Sequence, residues 1–409
     1  MNSEFEKIEA LVPDFQYVDS DHDRLVLTVG FTASFYFWNG HQAATREALV
    51  RCFEAFEAAF GAHLAWRFDA DDGRFVRVDE KKAISLREHV GTLDEDDCIE
   101  WYITSGDDHD AVADYVSSAV TERGWMEGRC SSFRIQVPRF VPFESETATT
   151  LFDLILFCQK QLSPFHGNAG LNAVRPYEEL TWEAELLDEA TRYQTLYIDS
   201  SVIDKMKAPL GIKGVNWLTF IGNTLSERLG GPAPFVAYCR RFGVEPIPVG
   251  EGFMIRAGEF PQLGPVGAPI PSDYMRANAA LRPLRNGNSG SMGTGSISGE
   301  LRFDRCTSDL WVRRLDAPDT WPPKSFIGLP RVPLGATPRK RLTLQTGDAC
   351  AVHGRYRQAG FVTPPEFAED IAPMVVLLPG DIAPFLLKLG PHGEFLGRAA
   401  VKWELIAEL

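Results

Sequence analysis

Apolar and polar positions in the first 260 residues switch repeatedly between a two-residue and a 3.6-residue period. Residues 25–38 are rich in β-branched and aromatic types and partly alternate, which predicts one long strand or a bulged pair with Gly30 as the irregular point. Asn39-Gly40 reads as a turn, and a helix follows from about Thr45. Leu49, Phe53, Phe56 and Phe60 recur there at i, i+4, i+7 and i+11, one apolar stripe, with Gly61 as its stop. Residues 64–68 and 75–78, joined by an Asp-rich stretch ending in Gly73, predict a hairpin. A second round begins at 98–104, a strand. Val112, Tyr115, Val116 and Ala119 then predict a helix capped by Asp107 or Asp108. Residues 133–137 return as a strand ended by Pro138 and Pro142. Leu151, Leu154, Ile155 and Cys158 mark another helix, residues 177–193 an acidic one, 215–221 a buried strand, and 225–229 a short helix.

The texture changes near residue 258. Pro and Gly become dense, and residues 286–299 carry almost no bulky apolar side chain. Strands are expected again at 341–351, 354–362, 373–378 and 399–406. The predicted class is α+β: mixed sheets with packed helices in the N-terminal region, and a small β-rich C-terminal domain. The expected division is a first domain over 1–260, a Pro/Gly/Ser-rich linker over 261–300, and the β-rich tail over 301–409.

At 409 residues, with 44% apolar and 24% charged positions, the chain has globular composition, which excludes wholesale disorder. No apolar run approaches a membrane span, and the first residues show neither a basic nor an apolar leader pattern, so a cytoplasmic protein without membrane contact is expected. Seven scattered cysteines without a CxxC argue against a disulfide framework. Charge is unevenly spread. Residues 1–200 hold 37 acids against 17 Lys and Arg, whereas 201–409 hold 19 against 24. Such a front half repels a nucleic-acid backbone. Two readings of it stay open, a solubility surface and an attractor for a basic protein. The segment 276–345, with 12 bases and 5 acids, would suit an acidic surface such as the chain's own front half.

Chemistry-bearing motifs are sparse. The chain lacks GxGxxG, Walker A, HExxH and GxSxG patterns, and its eight histidines are far apart. The cluster Asp107, Asp108, His109 and Asp110 reads first as solvated acids at a helix start. His166-Gly-Asn168 is a weak catalytic-loop candidate, and Cys350 with His353 lacks an orienting third group. No catalytic, metal or cofactor site is therefore expected.

Several stretches resemble a family of bacterial type VI secretion immunity proteins associated with immunity to VRR-Nuc-type nuclease toxins. They are Phe35-Tyr-Phe-Trp-Asn-Gly40 leading into Thr45–Leu49 and Cys52-Phe-Glu54, then His166-Gly-Asn-Ala-Gly-Leu171, then Arg175-Pro-Tyr177. The most specific is Gly211-Ile-Lys-Gly-Val-Asn-Trp-Leu-Thr-Phe-Ile-Gly222, in which Trp217 and Phe220 read as core and Gly214 and Gly222 as turn positions. More loosely, Gly347-Asp-Ala-Cys350, Gly354, Tyr356 and Trp403 resemble a module at the end of other immunity proteins, with Ala351 where that module carries proline.

The resemblance implies a non-enzymatic inhibitor that binds and neutralises a cognate type VI effector, a basic nuclease-type toxin, in the cytoplasm. An adaptor or structural component of a secretion system, or an unrecognised hydrolase, is the alternative. A homodimer stays open. The contact is expected on the acidic front half, at Asp94, Glu95, Asp96 and Asp97, at Asp107, Asp108 and Asp110, and on the helix bearing Glu178, Glu179, Glu183 and Glu185.

Overall fold

The structure is a computed structural model that describes residues 2–19, 22–69, 74–78, 84–108, 110–177, 182–287, 290–293, 302–316, 321–322, 342–363 and 373–408. Its centre is one twelve-stranded sheet. In chain order the strands are β1 (Tyr17–Asp19), β2 (Arg24–Phe37), β3 (Trp66–Asp69), β4 (Arg74–Arg77), β5 (Glu100–Thr104), β6 (Val116–Val120), β7 (Ser131–Val137), β8 (His166–Val174), β9 (Tyr197–Ile198), β10 (Leu218–Gly222), β11 (Ile247–Val249) and β12 (Gly252–Arg256). Across the sheet they run β11-β12-β10-β8-β2-β7-β6-β5-β3-β4, with β1 on the start of β2 and β9 beside β8. All pairs are antiparallel except β8–β9.

The predicted long strand is β2, and it is unbroken: Gly30 pairs in register with Asn172 of β8. A Cβ there would lie 3.0 Å from the Val174 side chain, so close packing rather than a bulge explains the glycine. Among the described residues, ten α-helices accompany the sheet: α1 (Ser3–Glu9), α2 (Ala43–Phe60), α3 (Leu86–Val90), α4 (Ser145–Leu162), α5 (Glu183–Ala190), α6 (Ser201–Lys207), α7 (Asn223–Ser226), α8 (Pro232–Arg240), α9 (Ser272–Leu281) and α10 (Arg305–Val312). The stripe of α2 and the predicted face of α4 pack on one side of the sheet. There Phe35 lies 6.2 Å from Phe133 and 5.6 Å from Phe220, centroid to centroid, and Phe53 meets Phe133 edge-on at 5.1 Å. Each such ring, fully buried, contributes about 1.5–3 kcal/mol of transfer free energy. A second apolar cluster gathers Leu27, Val29 and Leu171 with Leu186 and Leu187 of α5 and Trp311 of α10.

Three elements differ from expectation. Residues 116–120 form β6 rather than a helix, held on both sides by β5 and β7. The Val-Ser-Ser-Ala-Val sequence satisfies a strand, and two ladders outweigh a marginal helical spacing. Among the described residues, no helix follows Asp107 or Asp108. Instead the Asp108 carboxylate accepts the Asp110 amide at 2.9 Å. Within the expected linker 261–300, residues Ser272–Leu281 form α9, and Tyr274, Ala277, Leu281 and Leu284 lie in the main core. Met292, Phe303 and Trp311 belong to the second cluster. Of the acidic helix expected over 177–193, Glu183–Ala190 is helical, and residues 178–181 lie outside those described.

The C-terminal part is β-rich as predicted. It contains β13 (Thr343–Gln345), β14 (Gly354–Phe361), β15 (Met374–Leu377), β16 (Leu386–Leu389), β17 (Phe395–Ala399) and β18 (Val401–Glu408). β13-β18-β14-β15 make one sheet, and β16–β17 form a separate hairpin. Tyr356, Leu377, Val401 and Trp403 form its own core. The hairpin tip docks on the main sheet's end: Gly393 sits against the Trp38 indole, and His392 faces His41 at 4.9 Å. With φ +80 and Trp38 ring atoms 1.9 Å from where a Cβ would stand, only glycine fits at 393.

Candidate functional site

The acidic loop before β5 is built from beneath. Arg46 on α2 is buried and donates to the carbonyls of Asp94 at 2.7 Å and Asp97 at 2.8 Å. The Asp97 carboxylate accepts the Asp94 amide at 2.9 Å, and the Asp94 carboxylate accepts the Asp96 amide at 2.8 Å. Asp94, Glu95 and Asp96 are exposed, and Asp97 is half-buried as the clasp of the turn. The loop is thus a fixed display of carboxylates. Asp97 contributes to its shape more than to its surface.

The loop after β5 is less available. Asp107 is exposed, but Asp108 pairs with Arg24 Nε at 2.8 Å and Asp110 with Arg24 Nη1 at 3.1 Å. The two acidic loops flank opposite ends of β5, so roughly 14 Å of strand separates them. They do not merge into one patch. The third cluster changes most. Glu183 is 1% exposed, within 3.7 Å of Arg302, with Gly293 packed on its carboxylate. Burial of the first turn of α5 against Gly293 and Arg302 removes Glu183 from any docking face. Glu185 is half-buried, and Glu178 and Glu179 lie outside the described residues.

Sequence reasoning passed over the neighbouring loop between β6 and β7. The Gly124 amide donates to the Glu95 carbonyl at 2.7 Å, which places Trp125 beside the acidic turn. Its side chain is 61% exposed. A lone Trp in a Gly-flanked stretch was the only signal available.

Behind the sheet lies a buried polar layer. Asp199 accepts from Ser34 Oγ at 2.6 Å, and its carbonyl accepts from Arg175 at 2.8 Å. Burial opposes ionisation of Asp199, but Arg134 together with the contacts to Asp204, Lys213 and Ser34 outweighs it and holds this carboxyl low. Burial pushes the Asp204 carboxyl up, against the pull of its partner Lys213. His166 is the first residue of β8, paired with Tyr36 of β2 and Ile221 of β10, not part of a catalytic loop. It is 2% exposed, its ring lies 5.4 Å from that of Tyr36, and Nδ1 is 3.4 Å from the Phe220 carbonyl. Burial pushes it down to about 4, which keeps it neutral. The adjoining cavity, lined by Tyr36, His166, Asp204 and Lys213, holds about 20 Å³, space for one water and no substrate. This layer positions strands.

The signature around Trp217 plays the same structural part. The indole donates to the Gly258 carbonyl at 3.1 Å and meets Phe31 edge-on at 6.0 Å. Asn216 donates to the Asn168 side chain at 3.1 Å, and a Cβ on Gly170 would collide with its amide. Gly222 is a point of close approach, where a Cβ would lie 2.7 Å from the Phe165 backbone. A Cβ at Gly214 would meet open space, so that position is not a required turn glycine.

A family model described as type VI immunity for VRR-NUC matches residues 48–315. The chain belongs to this type VI immunity family. Solved chains also match, among them the Pseudomonas aeruginosa T6SS protein PA0821 at 26% identity and a TM-score of 0.65, covering 73% of this chain and 84% of that one. No curated protein matches. The immunity-family region runs from within α2 to Leu315 and takes in α9 and α10, so the segment expected as a linker is part of the family's fold. Both acidic loops beside β5 and the Trp125 loop fall inside it, whereas the β-rich tail lies beyond it. Among the described residues, no helix is long and apolar enough to cross a membrane.

Proposed function

We propose that this immunity protein binds a VRR-Nuc-type nuclease effector in the cytoplasm and neutralises it by occupancy, without turnover of its own. The family match over residues 48–315 carries the reading. Electrostatics supports it. A nuclease is basic where it holds DNA, and Asp94, Glu95 and Asp96 stand exposed on a turn fixed by Arg46. Asp107 and Glu185 are secondary contacts, while Asp108 and Asp110 are partly neutralised by Arg24.

Titrating the purified chain into a DNA-cleavage reaction of its cognate VRR-Nuc-type effector tests this. Cleavage is expected to fall to nothing near one equivalent. Replacing Asp94, Glu95 and Asp96 by Lys is expected to weaken binding more at low than at high salt, since screening shortens the field to ~8 Å near physiological ionic strength. Unchanged cleavage at excess inhibitor would contradict the reading.

A further inference from the structure

We infer that Trp125 is the apolar anchor of a docking surface for a basic protein face, with Asp94, Glu95, Asp96 and Glu127 as its charged rim. The inference rests on the proposed effector-binding role and adds to it the contact point.

The first observation is exposure. At 61%, Trp125 is the most accessible of the large apolar side chains described, and no aromatic or cationic group among the described residues stacks on it. Leaving an indole in water forfeits about 1.5–3 kcal/mol that burial would return. Trp is also the residue type most enriched among the few that dominate binding energy.

The second observation is rigidity. Residues 122–129 are held at both ends and in the middle. Glu122 pairs with Lys205 at 2.7 Å, and its amide donates to Ser131 Oγ at 3.0 Å. The Gly124 amide bonds the Glu95 carbonyl, the Met126 amide the Arg123 carbonyl at 3.0 Å, and the Gly128 amide the Pro391 carbonyl of the β-rich tail at 3.0 Å. A Cβ on Gly124 would approach the Glu95 carbonyl to 3.1 Å, so the two loops touch backbone to backbone. Anchor and rim are therefore fixed relative to each other before a partner arrives, and little ordering entropy is lost on docking.

The third observation is charge. Asp94, Glu95 and Asp96 are exposed on the turn bonded to this loop, and Glu127 is exposed on the loop itself, against Arg123 and Arg129. An exposed indole beside a turn of exposed carboxylates suits a guanidinium or ammonium, which gains from the ring quadrupole and from the acids together. A second copy of this chain would bring the acidic rim against itself. The occupant that fits is a basic protein surface presenting Arg or Lys.

The test uses the full chain and its proposed cognate nuclease effector. Trp125→Ala is expected to weaken affinity about 30-fold or more, as loss of a central aromatic anchor does, with the thermal midpoint unchanged. Trp125→Phe is expected to restore most of the affinity. Hydrogen exchange on the wild-type complex, which needs no substitution, is expected to show protection confined to the surface that includes residues 94–97 and 122–129. Wild-type affinity of Trp125→Ala, or no protection of residues 122–129 in a complex that does form, overturns the anchor and leaves the inhibitor reading standing. Failure of the wild-type chain to bind the effector overturns both.

Discussion

Arg282 and Asp381 form a buried two-pronged ion pair across the seam between the main fold and the β-rich tail, with Nε 2.8 Å from Oδ2 and Nη2 3.1 Å from Oδ1. Asp381 also accepts from the Tyr238 hydroxyl at 3.2 Å and from the Leu378 amide at 2.8 Å. Beside it Arg285 pairs with Asp316 at 2.6 Å. The tail is therefore fastened by charges that have left water, and each needs its partner.

Asp381→Ala strands the Arg282 guanidinium in a buried site. The expected loss is about 3–5 kcal/mol in urea unfolding, the usual consequence of breaking a buried pair by one member. The double change Arg282→Met with Asp381→Leu is expected to recover much of that loss. A loss below about 1 kcal/mol in the single variant would mean that the seam is not sealed from solvent.

His166 gives a signature at acidic pH. Its folded-state pKa, pushed by burial to about 4, lies below the unfolded value near 6.5. Between those values the unfolded chain binds the extra proton, so stability falls as pH drops from about 6.5 towards 4, by roughly 3 kcal/mol in all from this group. NMR titration of the ring is expected to show a neutral imidazole down to about pH 4. A midpoint near 6.5 would show the ring to be solvated.

Glu189 acts in the opposite sense. It is fully buried, and among the described residues neither carboxyl oxygen has a hydrogen-bond partner. Burial pushes its pKa well up, against the weaker pull of Arg175 and Arg192. Above the unfolded value near 4.5 only the unfolded chain releases this proton, so the group lowers stability as pH rises towards its folded pKa. Glu189→Gln is expected to raise the thermal midpoint at pH 8 and to flatten its decline between pH 5 and 8. An identical pH profile for variant and wild type would contradict this.

The sequence made the apolar skeleton legible because its periods were strong: fourteen residues became β2, and the Phe53, Phe56 and Phe60 stripe became α2. β8 was hidden. His166, Asn168 and Asn172 face a buried polar layer, so the central strand reads His-Gly-Asn-Ala-Gly-Leu-Asn-Ala and shows no apolar alternation. Helix α9 was masked by the Pro and Gly around it, although Tyr274, Ala277 and Leu281 keep a helical spacing. Among candidate contacts, sequence located the exposed turn at 94–96 but could not distinguish it from Glu183, whose burial depends on Arg302 and residue 293, more than a hundred positions away. The exposure of Trp125 is likewise a tertiary fact.

The central claim is stoichiometric inhibition by binding. Its most direct test is a single titration followed both by calorimetry and by DNA cleavage, with the purified chain added to the cognate nuclease effector proposed for it. The account predicts one saturable complex, cleavage abolished at the same equivalence point, and no cleavage or modification of DNA by the chain alone. A chain that saturates its effector yet leaves cleavage intact, or that itself turns over a substrate, would contradict it.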